Sequence, residues 1–239
     1  MITTLEEFAD EYRRIKEMGW IKTHRAGPTG VGKTLEDLLG IPENNRGEPD
    51  FGKYELKAVR VHTGSMLTMF TKAPEPGDAN AYLRETYGYV GRRYGNDRKV
   101  LHETLTAAHF VPIADTGNQL KIHCTEDRIA IASQKGVEDV YWTRNTLRNS
   151  FERKYRGSFV YAKAAARGRG QNEEFQYTEA CEVSGFDYDA FIALLEQGKI
   201  WVDLRIGQYP DGRTHDHGTG FRIRKCDEAL LFRVRRPIV

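Results

Sequence analysis

The stretch Asp50-Phe51-Gly52-Lys53-Tyr54-Glu55-Leu56-Lys57, led by Pro49, decides how this chain is read. It forms a short hairpin that carries two carboxylates and one ammonium to the start of a strand. Within a strand Glu55 and Lys57 are i and i+2, so their side chains leave the same face. They can share one metal and one water. Hydrolysis of a phosphodiester needs this set: carboxylates that hold a hard divalent cation, and a lysine that orients the attacking water. Glu-x-Lys is also the pattern of an ordinary solvated pair, so the rest of the chain has to decide.

Upstream, Gly27-Pro28-Thr29-Gly30-Val31-Gly32-Lys33-Thr34 satisfies the nucleotide-binding P-loop pattern residue for residue. Its surroundings do not. A P-loop leaves a buried parallel strand and enters a long helix, whereas Trp20 to Ala26 is mostly polar and charged. After Thr34 the apolar stripe Leu35, Leu38, Leu39 lasts about two turns before Gly40 and Pro42 end it. A nucleoside triphosphate is therefore not an expected partner. The short helix carries Glu36, a third acidic candidate, although a glutamate in a first helical turn is also favoured by the macrodipole alone.

The 239 residues, 39% hydrophobic, suffice for one substantial core, so residues 1–239 are expected to form a single domain. No apolar run approaches the roughly 18 residues needed to span a bilayer, and the N-terminus is a charged amphipathic segment rather than a signal sequence. A cytoplasmic protein with no membrane partner is expected. Cys124, Cys181 and Cys226 are odd in number and lack CxxC spacing, which indicates neither a disulfide framework nor a four-cysteine zinc site. Net charge is only +2, but it is unevenly spread. Arg144, Arg148, Arg153, Lys154, Arg156, Lys163, Arg167 and Arg169 face a single acid, Glu152, and the C-terminus adds Arg222, Arg224, Lys225, Arg233, Arg235 and Arg236. Such clusters suit phosphate contacts, though each residue singly also fits a solvated face.

Element by element, Thr4 and Glu7 have capping-box spacing ahead of the stripe Leu5, Phe8, Tyr12, Ile15, which predicts a helix ended by Gly19. Gly27 to Gly32 reads as a flexible turn, and the polar run from Glu43 to Pro49 as a loop delivering Asp50. Leu67 to Lys72 reads as a strand neighbouring the hairpin. Asp78 to Tyr87 reads as a helix with Arg84 and Glu85 outward, and Val100 to Trp142 as a meander of short strands. Thr143 to Tyr155 is a helix leading into a strand of the central sheet, Ser158 to Ala164, followed by a mobile basic loop at Arg167 to Gly170. A helix from Tyr188 to Gln197, stopped by Gly198, precedes the strand Ile200 to Ile206.

That last strand opens a second constellation. Asp203 and Arg205 share a face with Trp201, and Tyr209, His215, Asp216, His217 and Arg222 follow. These are the types that read base edges: arginine forks onto guanine O6 and N7, carboxylates accept from cytosine N4, and histidine donates or accepts by tautomer. Two other readings stay open: a metal site built from His215, Asp216, His217 and Cys226, which lacks a usual zinc spacing, and a loop of ordinary surface polar residues.

Taken together, Gly30 to Leu39, Pro49-Asp50-Phe51, Glu55-Leu56-Lys57, Leu67 to Lys72, Val202 to Gly207, Thr214 to Thr219 and Phe221-Arg222 resemble segments of the MvaI/BcnI group of type II restriction endonucleases, in order and at near-equal spacing. Thr71 matches the MvaI branch, since BcnI has histidine at that step. The resemblance covers most of the chain except about Val100 to Gln171. It implies an α/β (α+β) MutH-like PD-(D/E)XK fold, with a central mixed sheet flanked by helices. Two lobes around a DNA cleft are expected, a catalytic one over about 1–110 and 155–185 and a recognition one over about 186–239. Asp50 and Glu55 would ligate Mg²⁺, Lys57 would hold the water, and Glu36 would support them. Lys33, Thr34 and the backbone amides of the glycine-rich turn would receive a DNA phosphate. Asp203, Arg205, Tyr209, His215, Asp216, His217 and Arg222 would read the G·C pairs of a double-stranded CCNGG site, CCWGG favoured. The group's members act as monomers that nick one strand at a time; in-line attack with a departing 3′ oxygen would leave 5′-phosphate ends, and a restriction enzyme implies a cognate methyltransferase. The alternative is a MutH-like repair nickase, against which the His-Asp-His block argues. A binding module with a dead site is disfavoured because no catalytic residue is missing.

Overall fold

The computed structural model describes residues 2–42, 49–61, 66–91, 97–155, 157–225 and 227–239. In chain order the elements are α1 (Leu5–Glu17), β1 (Ile21–Lys22), α2 (Gly30–Leu38), β2 (Tyr54–Arg60), β3 (Met66–Thr71), α3 (Ala79–Tyr87), β4 (Tyr89–Val90), β5 (Lys99–Leu105), β6 (Val111–Pro112), β7 (Gln119–Cys124), β8 (Arg128–Ser133), β9 (Val140–Thr143), α4 (Arg144–Lys154), β10 (Ser158–Arg167), β11 (Glu174–Phe186), α5 (Tyr188–Glu196), β12 (Ile200–Gln208), β13 (Thr214–Asp216), β14 (Gly220–Arg224) and β15 (Phe232–Pro237). They divide into two compact units. The first comprises Met1–Gly64, Tyr155–Phe186 and Phe232–Val239, and the second Ser65–Lys154 and Asp187–Leu231. Residues 65–110, expected in the catalytic lobe, thus fold with the second unit, and the C-terminal strand folds with the first.

The first unit is built on a mixed sheet in the order β1-β11-β10-β2, with β15 also on β11; only β10 and β2 run parallel. The alternation of β10 serves both faces. Val160, Ala162 and Ala164 join Leu56, Phe175 and Tyr177 under the stripe Phe8, Tyr12, Ile15 of α1 and Val31, Leu35 of α2, while Phe159 and Tyr161 join Cys181 and Val183 on the other side. The predicted capping box is present: Glu7 N donates to Thr4 Oγ1 at 3.2 Å, and Thr4 N donates to Glu7 Oε2 at 3.1 Å. Small alanines on β10 let the helices approach closely, and removing this aromatic and aliphatic surface from water is the main stabilising term.

The second unit holds an antiparallel sheet in the order β3-β14-β12-β5-β4, with β13 on β12, and a meander β6-β7-β8-β9; β5, which the expected meander from Val100 included, lies in the first of these sheets instead. Its core is aromatic, with Phe70 stacked on Phe221 at 4.8 Å and Trp142, Phe151 and Phe191 around them. The buried indole N–H of Trp142 donates to the Lys72 carbonyl at 3.0 Å, so no donor is stranded. No helix among the described residues is long and apolar enough to cross a membrane.

Several expectations change. The strand at Leu67 to Lys72 is real, but β3 pairs with β14 in the second unit and does not neighbour the hairpin. Arg84 points inward and is buried, because it falls on the same helical stripe as Leu83 and Tyr87; it pairs with Glu85 at 2.6 Å and reaches the carbonyls of Gly207 and Gly212. Helix α2 starts at Gly30, inside the stretch read as a flexible turn. The basic loop after β10 contains a 3₁₀ turn at Gly170–Asn172. Strands β1, β4, β11, β14 and β15 went unread. The loop residues 43–48, Arg156 and Cys226 lie outside the described residues.

Candidate active site

The hairpin ahead of β2 is fixed by its aromatic residues. Phe51 is buried, stacks on Phe8 with centroids 5.4 Å apart and on Tyr54 at 5.5 Å, and exchanges backbone hydrogen bonds with Tyr54 at 3.2 and 2.8 Å. Gly52 has φ +52°, and a Cβ there would overlap the Thr3 carbonyl oxygen. Glycine is therefore required at this turn. The turn brings Asp50 back onto the strand, where the Leu56 N–H donates to Asp50 Oδ2 at 2.7 Å. Glu55 and Lys57 leave one face, with Lys57 Nζ 2.8 Å from Glu55 Oε1 and 6.0 Å from the centre of the Phe159 ring. Burial raises the Asp50 carboxyl above its ordinary range, and the Glu55 charge adds to this; the Leu56 amide and Lys57 oppose it.

A cation fits such a group. The repulsion that the Glu55 charge exerts on the Asp50 carboxyl is relieved when a divalent charge lies between them. Mg²⁺ is commonly held by only one or two carboxylates, with water and phosphate completing its shell. Among the described residues no three His, Cys, Asp or Glu side chains are grouped to hold a metal.

Asp50, Glu55 and Lys57 thus come together; Glu36 is placed otherwise. It lies on α2, which covers the Leu56 side of β2, whereas Glu55 and Lys57 leave the opposite face. There it lines a hollow of about 340 Å³ with Arg25, Pro28, Gly32, Lys33 and Ala58. Lys33 pairs with Asp37 at 2.6 Å. Thr34 is fully buried, and its hydroxyl accepts from the His24 N–H at 3.0 Å. The resemblance places Thr34 at a DNA phosphate, whereas its side chain here is buried in the core and its hydroxyl is taken by the His24 amide. Arg60, which sequence reasoning passed over, holds this region in place. Its guanidinium pairs with Glu173 at 2.7 and 2.9 Å and donates to the carbonyls of Pro28 and Gly27 at 2.7 and 2.8 Å, beneath which it lies 5.0 Å from the Phe175 ring centre.

In the second unit, Asp203, Arg205, His215 and Arg222 share one face of the six-stranded sheet, while Asp216, opposite Ile206 in the register, belongs to the other. Asp203 is nearly buried, and its Oδ2 accepts from Arg205 Nε at 2.7 Å, Arg205 NH2 at 2.6 Å and Arg222 NH1 at 3.0 Å. Asp216 Oδ2 accepts from Asn80 Nδ2 at 2.7 Å, and its Oδ1 from the Gly218 N–H at 2.8 Å. The rings of His215 and His217 lie on the same side with centroids 4.1 Å apart, and Tyr209, exposed, stands 4.5 Å from His215. Thr71 packs beneath the block, where a Cβ on Gly218 would meet its side chain at 3.3 Å. Thr104 and Asn80 were not foreseen, because cross-strand and helix-to-loop partners have no signature in local sequence.

The MvaI/BcnI restriction endonuclease family model matches residues 9–232. The chain belongs to the MvaI/BcnI restriction endonuclease family. As a member it is a sequence-specific DNA endonuclease. Among solved structures it is similar to the restriction endonuclease MvaI–cognate DNA substrate complex, at 31% identity and a TM-score of 0.76 over 100% of both chains. It is also similar to MvaI in the absence of DNA, at 29% identity and a TM-score of 0.66 over 100% of this chain and 99% of that one. No curated protein sequence matches it. This MvaI/BcnI member shares the mixed α+β fold of its structural neighbours.

Proposed function

We propose that this chain is a Mg²⁺-dependent endonuclease that cuts double-stranded DNA at a short G·C-rich site of the CCNGG type, CCWGG favoured. The observation that carries the reading is the meeting of Asp50, Glu55 and Lys57 on one hairpin and strand, in a family of restriction enzymes. DNA as partner is supported by the likeness to MvaI bound to its cognate duplex.

Asp50 and Glu55 would hold the cation, whose charge favours hydroxide over water at the attacking position and neutralises the departing 3′ oxygen. Lys57 orients the water by donating to it, in line with the scissile bond, which leaves a 5′ phosphate. Its ion pair with Glu55 keeps the amine aimed along the strand face before substrate arrives. The amides of the glycine-rich turn and Lys33 would receive a neighbouring phosphate. Glu36, on the α2 side of β2, would sit behind the cutting face as a supporting carboxylate across the strand and not as a ligand of the cation. Arg205 and Arg222 would fork onto guanines, with Asp203, Asp216, His215, His217 and Tyr209 completing the reading of the G·C pairs. A monomer with one such site would nick one strand per encounter and rebind in the opposite orientation for the other, and a cognate methyltransferase would protect the host.

The test is incubation with a plasmid carrying one CCWGG site, in Mg²⁺ with and without EDTA, followed by sequencing of the ends. The expected result is metal-dependent linearisation through a nicked intermediate, with cuts inside the site. A nick that never becomes a double-strand break would favour a repair-type nickase, and a gel shift without cleavage would overturn the enzymatic reading.

A further inference from the structure

Thr104 on β5 stands directly opposite Asp203 on β12 in the antiparallel register, and directly paired residues share a face. Its hydroxyl donates to Asp203 Oδ1 at 2.9 Å, while the other carboxylate oxygen takes all three guanidinium N–H contacts from Arg205 and Arg222. A carboxylate is loosely held about its terminal torsion, so either oxygen could turn toward the arginines. A hydroxyl bound to one oxygen removes that freedom and fixes the plane in which the other receives its donors. Thr104, Asp203, Arg205 and Arg222 line one hollow of about 320 Å³ together with His102 and Glu103. Among the described residues the buried Arg222 Nε has no hydrogen-bond partner, and its NH1 donates to Asp203.

We propose that Thr104 is a positioning residue for sequence recognition: through Asp203 it sets the two arginine forks before DNA arrives, so that guanine edges meet side chains already in place. This rests on the reading of Arg205 and Arg222 as guanine contacts. Long, mobile side chains ordered in advance lose less freedom on binding, and the gain falls on the matched base pair rather than on the phosphates.

The experiment measures binding of wild type, Thr104→Val, Thr104→Ala and Thr104→Ser in Ca²⁺ at fixed salt, to a duplex containing CCAGG and to one with a single G·C pair changed to A·T. Thermal midpoints are recorded alongside. Val and Ala should each weaken cognate binding about tenfold, the scale of one hydrogen bond to a charged group, and leave the altered duplex unchanged; Ser should restore the wild-type ratio. An unchanged ratio in Val and Ala, equal weakening on both duplexes, or failure of Ser to rescue would overturn the proposal. Arg205→Ala run in parallel separates the two levels: if it discriminates as wild type does, the guanine reading itself fails, whatever Thr104 does.

Discussion

Asp50 is half-buried beside a second carboxylate, and both circumstances favour its neutral form. Its folded pKa lies above the unfolded one. Folding therefore gains from the protonated group below the ordinary carboxylate range, and that gain is lost as pH rises through the folded value. At neutral pH, without metal, the ionised Asp50 weakens the fold. Asp50→Asn, which can still accept from the Leu56 amide, should raise the thermal midpoint in EDTA at pH 7, show no such gain well below the carboxylate range, and abolish cleavage. A lower midpoint at pH 7 would contradict this. The three residues proposed to cut were legible because a hairpin and a strand's period of two need no tertiary knowledge. The burial of Thr34 was not legible, because a local pattern of glycines and a lysine says nothing of which way a helix turns its fifth residue.

At the scale of elements, the hairpin and the Arg60–Glu173 clamp set where β2 lies against α2. Gly52→Ala would force a Cβ into the Thr3 carbonyl at positive φ, and should cost about 1–3 kcal/mol in urea unfolding. Arg60 and Glu173 are only 14% and 13% exposed at their side chains. Removing one partner leaves the other charge uncompensated, so Arg60→Ala should destabilise by about 3–5 kcal/mol, whereas Arg60→Met with Glu173→Met should recover most of the loss. Equal destabilisation by the single and double variants would refute the clamp. Strand β11 escaped sequence reading for a structural reason: a register shift near Ala162 and Ala164 of β10 breaks its alternation between Tyr177 and Ala180. Strand β15 was masked by Arg233, Arg235 and Arg236, which read as a phosphate-binding cluster but sit on a sheet edge, where charge also prevents unwanted pairing.

Across the whole molecule, the chain leaves and re-enters each unit, and strands 100 residues apart, such as β2 and β10, lie side by side. Local propensity cannot encode such pairings. The sequence disclosed what each constellation is made of, while the division of residues 65–110 became visible only in three dimensions. The residues proposed to cut and those proposed to read fall on different units, so substitutions should separate. Arg222→Ala should lower discrimination against a single altered G·C pair by about 10- to 100-fold in Ca²⁺ binding assays and leave the hairpin intact. A loss of metal-dependent cleavage on bound DNA larger than the loss of discrimination would contradict that separation. The most direct test of the central claim is single-turnover cleavage of a CCAGG duplex in Mg²⁺ by wild type and Lys57→Ala, with binding matched in Ca²⁺. The variant should bind as wild type does and cleave about 10²- to 10⁴-fold more slowly; cleavage at the wild-type rate would contradict the assignment of Asp50, Glu55 and Lys57 as the cutting site.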